Sequence, residues 1–282
     1  METRKRIETF AACRGGFLIV GHGTRIADGP QQLRDLAGEI AKRLLPAPTA
    51  ACFLELAEPD IAKGVKQLAD LGVRKLCIIP ILLFSAAHDQ EDIPNAVGEA
   101  AAEYGVEVVA SSPPLQHHSA ALRLSQVRYD RAICCSNPAG CDLAGACNVS
   151  AECTRRSRSD GESIGWLFVG RGTSDVVARE HMEQFWRLRQ TTTLAIGELA
   201  FFVGDARTIE TGLCRFAGRS DISTIVIQPH LIFEGLLTRQ LRESGEAFAR
   251  QTGKRVLVAP PLCGDELLAE TFALLAVEAV RT

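Results

Sequence analysis

The sequence predicts an α/β protein of two tandem halves, each a parallel sheet with helices on both faces. Three observations carry this expectation. Continuous apolar runs such as LCIIPILLF at 76–84 and TIVIQPHLIF at 224–233 alternate with amphipathic stretches of helical length. Strands separated by helices imply parallel pairing, and strands that are apolar throughout are those covered on both faces. The same phrases also occur twice: FLIVGHGT at 17–24 returns as WLFVGRGT at 166–173, and the two anchor pairs Gly21/Gly170 and Pro80/Pro229 are both 149 residues apart. Finally, 282 residues suffice for two domains of ordinary size, each with its own core.

In the first half, strands are expected near 16–21, where FLIV leads into Gly21, near 50–55, near 75–84 and near 106–110, ahead of a Pro-Pro-Leu. Helices are expected near 30–45, 59–71, 91–103 and 118–131. The second half offers strands near 164–170, 197–203, 222–233 and 255–259, with helices near 175–190, 206–217, 235–251 and 264–280. This is the Rossmann-like pattern of strand and crossover helix. TRRSRSDGE at 154–162 is polar with no apolar face and reads as a linker. The expected organisation is an N-terminal domain at 1–132, a Cys-rich loop and linker at 133–163, and a C-terminal domain at 164–282.

Composition excludes several function classes. With 46% apolar and 23% charged residues the chain reads as globular, and no apolar stretch approaches the roughly 20 residues of a membrane helix. A net charge of -3 gives no electrostatic footprint for nucleic acid. The start, METRKRIETFAACRGG, carries charge without an apolar h-region, so no secretory signal is expected and the cytoplasm is the expected compartment.

In open α/β sheets the ligand crevice lies beyond the carboxyl ends of the strands. His22 follows the first expected strand, Glu55 ends the second and His88 lies just past the third, each 33 residues from the next. Imidazole and carboxylate together suit divalent first-row metals, and three ligands leave positions open for water or substrate. Singly, each residue reads more readily as a capping or hydrogen-bonded side chain; their shared edge is what points to an open metal site. At the 149-residue offset, Arg171, Gly204 and Leu237 stand opposite the three, so the second copy is degenerate.

VGHGTR at 20–25, FLELAEPDI at 53–61 and PILLFSAAHDQEDIP at 80–94, in this order, resemble the sirohydrochlorin chelatases of sirohaem and cobalamin biosynthesis, specifically their long, two-domain type. The resemblance spans 16–131, with a weaker match at 164–280. It implies a chelatase-like fold in both halves and a lyase that inserts Fe2+ or Co2+ into sirohydrochlorin. It further implies that His22 and His88 bind the metal and accept protons, with Glu55 as their acidic partner. The choice between iron and cobalt stays open. Gly21 and Gly23 would let a flat substrate approach the backbone; an ordinary strand-to-helix turn accounts for them equally. Because sirohydrochlorin is a polycarboxylate, Arg25 and, in the second copy, Arg171 and Arg207 are candidate carboxylate-binding residues, with solvated surface arginines as the alternative. Ser85 is a further substrate-binding candidate beside His88. The expected assembly is a monomer whose two domains form one cleft, with neither nucleic acid nor membrane as partner.

Half of the ten cysteines fall within 133–153, where Cys135, Cys141, Cys147 and Cys153 are spaced six apart. In a cytoplasmic chain such clustering points to metal rather than disulfides. An iron–sulfur cluster, as some members of the resembled family carry, structural zinc and free thiols are the alternatives. Cys13, Cys52, Cys77, Cys214 and Cys263 are expected as buried small hydrophobes. Two rival functions follow from other classes. A histidine phosphatase needs an Arg directly before the His, where Gly21 stands. A non-enzymatic metal or iron–sulfur carrier would use the cysteine loop and be indifferent to His22 and His88.

Overall fold

A computed structural model describes residues 2–24, 28–84, 87–134 and 163–280, without the side chains of 87–91 and of His117. It contains two four-stranded sheets. In the first the strands are β1 (Gly15–Gly21), β2 (Thr49–Phe53), β3 (Lys75–Pro80) and β4 (Glu107–Ser111). The second holds β5 (Ser163–Gly170), β6 (Ile196–Phe201), β7 (Ile222–Pro229) and β8 (Arg255–Val258). Their orders, β2-β1-β3-β4 and β6-β5-β7-β8, are identical, and every pairing is parallel. The central strands β1 and β5 are buried almost throughout, which is why their sequences do not alternate.

The helices are α1 (Glu2–Ala12), α2 (Gly29–Leu44), α3 (Ile61–Asp70), α4 (Ala87–Glu103) and α5 (Ala120–Cys134), then α6 (Val176–Gln190), α7 (Ile209–Ala217), α8 (Leu236–Thr252) and α9 (Glu266–Ala279). Local chemistry sets their starts. Asp60, Asp175, Thr208 and Asp265 each accept a hydrogen bond from a first-turn amide, satisfying donors that a helix leaves open. Gly253, left-handed at φ 72°, ends α8. None of the helices among the described residues is long and apolar enough to cross a membrane. α1 was not expected from the sequence. It buries Ile7 and sets Phe10 5.2 Å from Phe17 of β1.

The apolar runs at 75–84 and 222–233 read as longer strands than those that form. Both stop at proline, Pro80 and Pro229, where the missing N–H ends the ladder. One further amide then bonds back to the central strand, Ile81 to the Val20 carbonyl and His230 to that of Val169.

The chain divides into two compact units, residues 1–121 with 263–282 and residues 122–262. This departs from a division at 132 and 164 in two helices. α9 belongs to the first unit, where it packs on α1, α2 and β3. It is apolar around most of its circumference, with Leu268, Phe272, Leu275 and Ala276 all buried, as a helix covered on several sides must be. α5 belongs, from Leu122 on, to the second unit. There the carbonyl of Ser125 accepts from Gln228 Nε2 at 2.7 Å, and Tyr129 meets Trp166 edge-on at 5.9 Å.

Cys52 and Cys77 are core residues as expected, and burial pushes both thiols up to about 12. Cys13 and Cys214 are exposed, the first in the turn after α1 and the second on the uncovered face of α7, and Cys263 is only partly buried, contrary to the expectation for all three. Trp166 is buried, whereas Trp186 is half-buried.

Candidate functional site

The carboxyl ends of β1 and β2 bring His22 and Glu55 together. Parallel pairing of the two strands runs on past their ends, since Leu54 N donates to Gly21 O at 2.8 Å and Glu55 N to His22 O at 3.1 Å. Residues 22 and 55 therefore leave the sheet side by side. His22 Nε2 lies 3.1 Å from Glu55 Oε1, with both side chains about half exposed, at 51% and 52%. Gly23 makes this arrangement possible. Its φ is +98°, and a Cβ there would sit 1.8 Å from the Glu55 carbonyl oxygen, so only glycine fits. Gly21 has a different cause: it lies in the buried strand, and a Cβ would meet Leu33 of α2 at 2.4 Å.

An imidazole nitrogen and a carboxylate oxygen at hydrogen-bond distance on an open edge are groups of the kind that bind divalent metals and exchange protons. His88 is the second residue of α4, on the segment that follows β3, and so belongs to the same edge of the sheet; its side chain lies outside the described residues. Among the described residues no group of three His, Cys, Asp or Glu side chains is close enough to hold a metal. Arg25, Ser85, Cys135, Cys141, Cys147 and Cys153 also lie outside the described residues.

The second copy repeats the backbone and replaces the side chains. Phe202 N bonds to Gly170 O and Val203 N to Arg171 O, and a Cβ on Gly172, at φ +82°, would lie 1.9 Å from the Val203 carbonyl. Arg171 thus stands where His22 does, but the counterpart of Glu55 is Val203, not Gly204. The second copy is one residue shorter before this point, because Gly21 registers with Phe53 whereas Gly170 registers with Phe201. Gly204, with φ +76°, answers instead to Leu56, with φ +60°.

Two other candidates are engaged within the second unit. Arg207 donates to Asp205 and Glu183 at 2.6–2.8 Å and lies over Phe201, so it is not an open carboxylate receptor. Its hydrogen bonds hold the Asp205 carboxyl down at about 2. His230 answers to Ile81 by its backbone bond and is 2% exposed, its ring 4.5 Å from that of Phe185 and 5.0 Å from that of Phe168. Burial, helped by the charge of Arg189, pushes it down to about 3, so it is a neutral core residue. Sequence reasoning missed the polar centre beside it. Trp166 Nε1 donates to Gln228 Oε1 at 2.9 Å, and the buried Arg189 donates to Ser125 Oγ at 3.0 Å and lies over the Trp166 ring. A glutamine inside the run IVIQP was the available signal, since a buried amide must find partners.

Against this geometry, the sequence model of the CbiX family matches residues 16–132 and again 165–279. The chain belongs to the CbiX family. Each half is thus one copy of the family unit, in keeping with the repeated sheet order. Among curated relatives, a sirohydrochlorin ferrochelatase of Priestia megaterium is 25% identical over 243 residues, covering 85% of this chain and 81% of its own. A sirohydrochlorin cobaltochelatase of the same organism is also 25% identical, over 83% of this chain and 69% of its own. SirB from Bacillus subtilis with Fe3+ shares the fold at a TM-score of 0.74 and 18% identity, over 92% of this chain and 93% of its own. A CbiX described as the terminal enzyme for biosynthesis of siroheme in denitrifying bacteria superposes at a TM-score of 0.61 and 17% identity, over 94% of this chain and all of its own.

Proposed function

We propose that this CbiX-family chain is a sirohydrochlorin chelatase, a lyase that inserts Fe2+ or Co2+ into the metal-free tetrapyrrole. The observation that carries this is the His22–Glu55 pair, 3.1 Å apart on the open strand edge of the copy that retains it, in a family whose curated relatives are named for both metals. Insertion requires the ion to shed water and two pyrrole N–H protons to leave. The His22 imidazole can hold a divalent ion through a ring nitrogen and accept a proton, and Glu55 offsets the ion's charge or passes the proton to water. His88, placed by its backbone on the same edge, is the proposed third ligand. Arg25, Ser85 and Arg171 are the proposed contacts for the carboxylate periphery, and Gly23 holds the His22 and Glu55 segments in place.

The cytoplasm is the proposed compartment, and a monomer the proposed assembly, since one chain carries both copies of the repeat; light scattering tests the latter. An iron–sulfur cluster on Cys135, Cys141, Cys147 and Cys153 is proposed on their six-residue spacing alone. Iron and sulfide analysis of anaerobically reconstituted protein tests that assignment. The function itself is tested by anaerobic absorbance of sirohydrochlorin with Fe2+ or Co2+, comparing wild type, His22→Ala/His88→Ala and no protein. Acceleration by the wild type that the double variant lacks is the expected result. Equal rates for the two proteins would remove the site, and no acceleration by folded wild type would remove the function.

A further inference from the structure

The Glu55 carboxylate has His22 as its one side-chain partner among the described residues, so its place is set by the backbone that carries it. That backbone leaves the sheet after Phe53 and returns at Asp60, where the two residues form a parallel bridge and Phe53 N donates to Pro59 O at 2.9 Å. The outgoing limb, Leu54 and Glu55, is bonded to Gly21 and His22, and Gly23 leaves room for the Glu55 carbonyl. Leu56 follows, exposed at 47% and left-handed at φ 60°, a conformation that a leucine keeps only when its surroundings hold it.

Arg34, on the second turn of α2, holds the returning limb. Its Nη2 donates to Glu58 O at 3.1 Å, and its guanidinium carbon lies 5.7 Å from the centre of the Phe53 ring, so one planar group sits against both ends of the excursion. Arg34 is exposed and pairs with no carboxylate among the described residues, and the Glu58 side chain is engaged by Lys63 Nζ at 2.7 Å. An exposed hydrogen bond to a neutral carbonyl adds little to global stability, so the effect of Arg34 is local to this turn.

The second copy makes the same tie with the roles exchanged. Leu33 fills the space beside Gly21 as Met182 does that beside Gly170, so Glu183 stands at the position of Arg34. Phe201 N donates to Arg207 O as Phe53 N does to Pro59 O, so Arg207 stands at that of Pro59. Arg207 lies 5.0 Å over Phe201, the counterpart of Phe53, and donates to Glu183 at 2.7 Å. A guanidinium over the strand-end phenylalanine thus joins helix to loop in both copies, supplied by the helix in one and by the loop in the other. The same tie reached from opposite directions marks a need of the turn.

We propose that Arg34 is a positioning residue for Glu55: by fixing the Glu58 carbonyl against α2 it keeps the 54–58 turn closed, and with it the carboxylate beside His22. The assignment rests on the chelatase reading above and gives Arg34 no contact with either substrate. Arg34→Met keeps the aliphatic stem over Phe53 and removes the donors. Anaerobic insertion of Fe2+ or Co2+ by the full-length protein is compared for wild type, Arg34→Met, Glu55→Gln and the double variant, with hydrogen–deuterium exchange of the same proteins followed by peptide.

Arg34→Met is expected to lower kcat about tenfold with KM for sirohydrochlorin within about twofold, to cost less than about twofold in the Glu55→Gln background, and to speed exchange of the Leu54 and Glu55 amides about threefold or more while the core strands keep theirs. A raised KM for sirohydrochlorin, or an equal loss in the Glu55→Gln background, would make Arg34 a substrate contact and overturn the proposal. Unchanged kcat or unchanged exchange in Arg34→Met overturns it too, while the chelatase stands. Wild type that inserts neither metal overturns the chelatase reading, and exchange at 54–58 alone then decides whether Arg34 holds the turn.

Discussion

Replacing Phe272 with alanine should destabilise the half of the protein that carries His22 and Glu55, although the substitution lies more than 200 residues from either. Phe272 is fully buried in α9, which packs on α1, α2 and β3, and Cys77 Sγ of β3 lies 3.9 Å from the Ala276 carbonyl one turn further along. Removing the ring forfeits about 1.5–3 kcal/mol of transfer free energy and leaves a cavity that the flanking strand and helices cannot close. The expected total is about 3–5 kcal/mol. With a urea slope of about 2 kcal/mol/M, the midpoint of the first unit should fall by about 2 M.

The assay exploits an asymmetry in the sequence. Both tryptophans, Trp166 and Trp186, belong to the second unit, so their fluorescence follows that unit alone while circular dichroism follows both. Phe272→Ala should move the loss of metal insertion and an early dichroism phase to lower urea, with the fluorescence midpoint moving far less. Phe216→Ala, in the core of the second unit, should do the reverse. A Phe272→Ala protein whose tryptophan transition shifts as far as its inactivation would refute the assignment of α9 to the first unit as an independently stabilised body.

Gly23→Ala should lower the insertion rate about 100-fold, because relieving the 1.8 Å contact must separate Glu55 from His22, whereas Gly172→Ala, strained to the same degree in the second copy, should cost stability and leave that pair alone; steady-state insertion rates and urea curves for both variants check this. Arg171→Ala should raise the Kd for sirohydrochlorin about five- to tenfold and flatten its dependence on salt, as titrations at low and high ionic strength would show. His230 is neutral in the fold down to about 3 but titrates near 6.5 when unfolded, so the stability it allows is complete above 6.5 and falls as pH drops toward 3. Tryptophan-monitored urea curves should therefore lose about 1.4 kcal/mol per pH unit over that window from this group, and His230→Phe should flatten the slope.

The fold was legible because its signals are local or periodic. Apolar runs bounded by Gly and Pro placed the eight strands found among the described residues, and the recurrence of Gly21 as Gly170 and Pro80 as Pro229 revealed the duplication. The same two anchors misplaced the partner of Glu55. A residue lost between β5 and β6 is regained before Pro229, so the offset agrees at both anchors and fails between them. Only the strand register reveals it. The allegiance of α5 and α9 was illegible for another reason: an amphipathic pattern says which side of a helix is buried, not which sheet buries it. The convergence of His22 and Glu55 could be inferred from topology, since parallel strands deliver their carboxyl ends to one edge. Their 3.1 Å separation depends on a carbonyl approaching a glycine, which no pattern in the sequence encodes.

The two copies separate what the loop needs in order to fold from what the reaction needs. Gly23 and Gly172 share a positive φ and a carbonyl packed where a side chain would be, so the backbone turn is kept in both. The side chains it presents differ in sign: imidazole and carboxylate from His22 and Glu55, guanidinium and hydrocarbon from Arg171 and Val203. On the proposed function this divergence suits the two substrates. The two substrates are a metal cation, which needs anionic or lone-pair donors, and a flat polycarboxylate, which needs cations at its rim and apolar surface on its face. Two copies of one backbone design with different side chains at the strand edge can thus meet both demands.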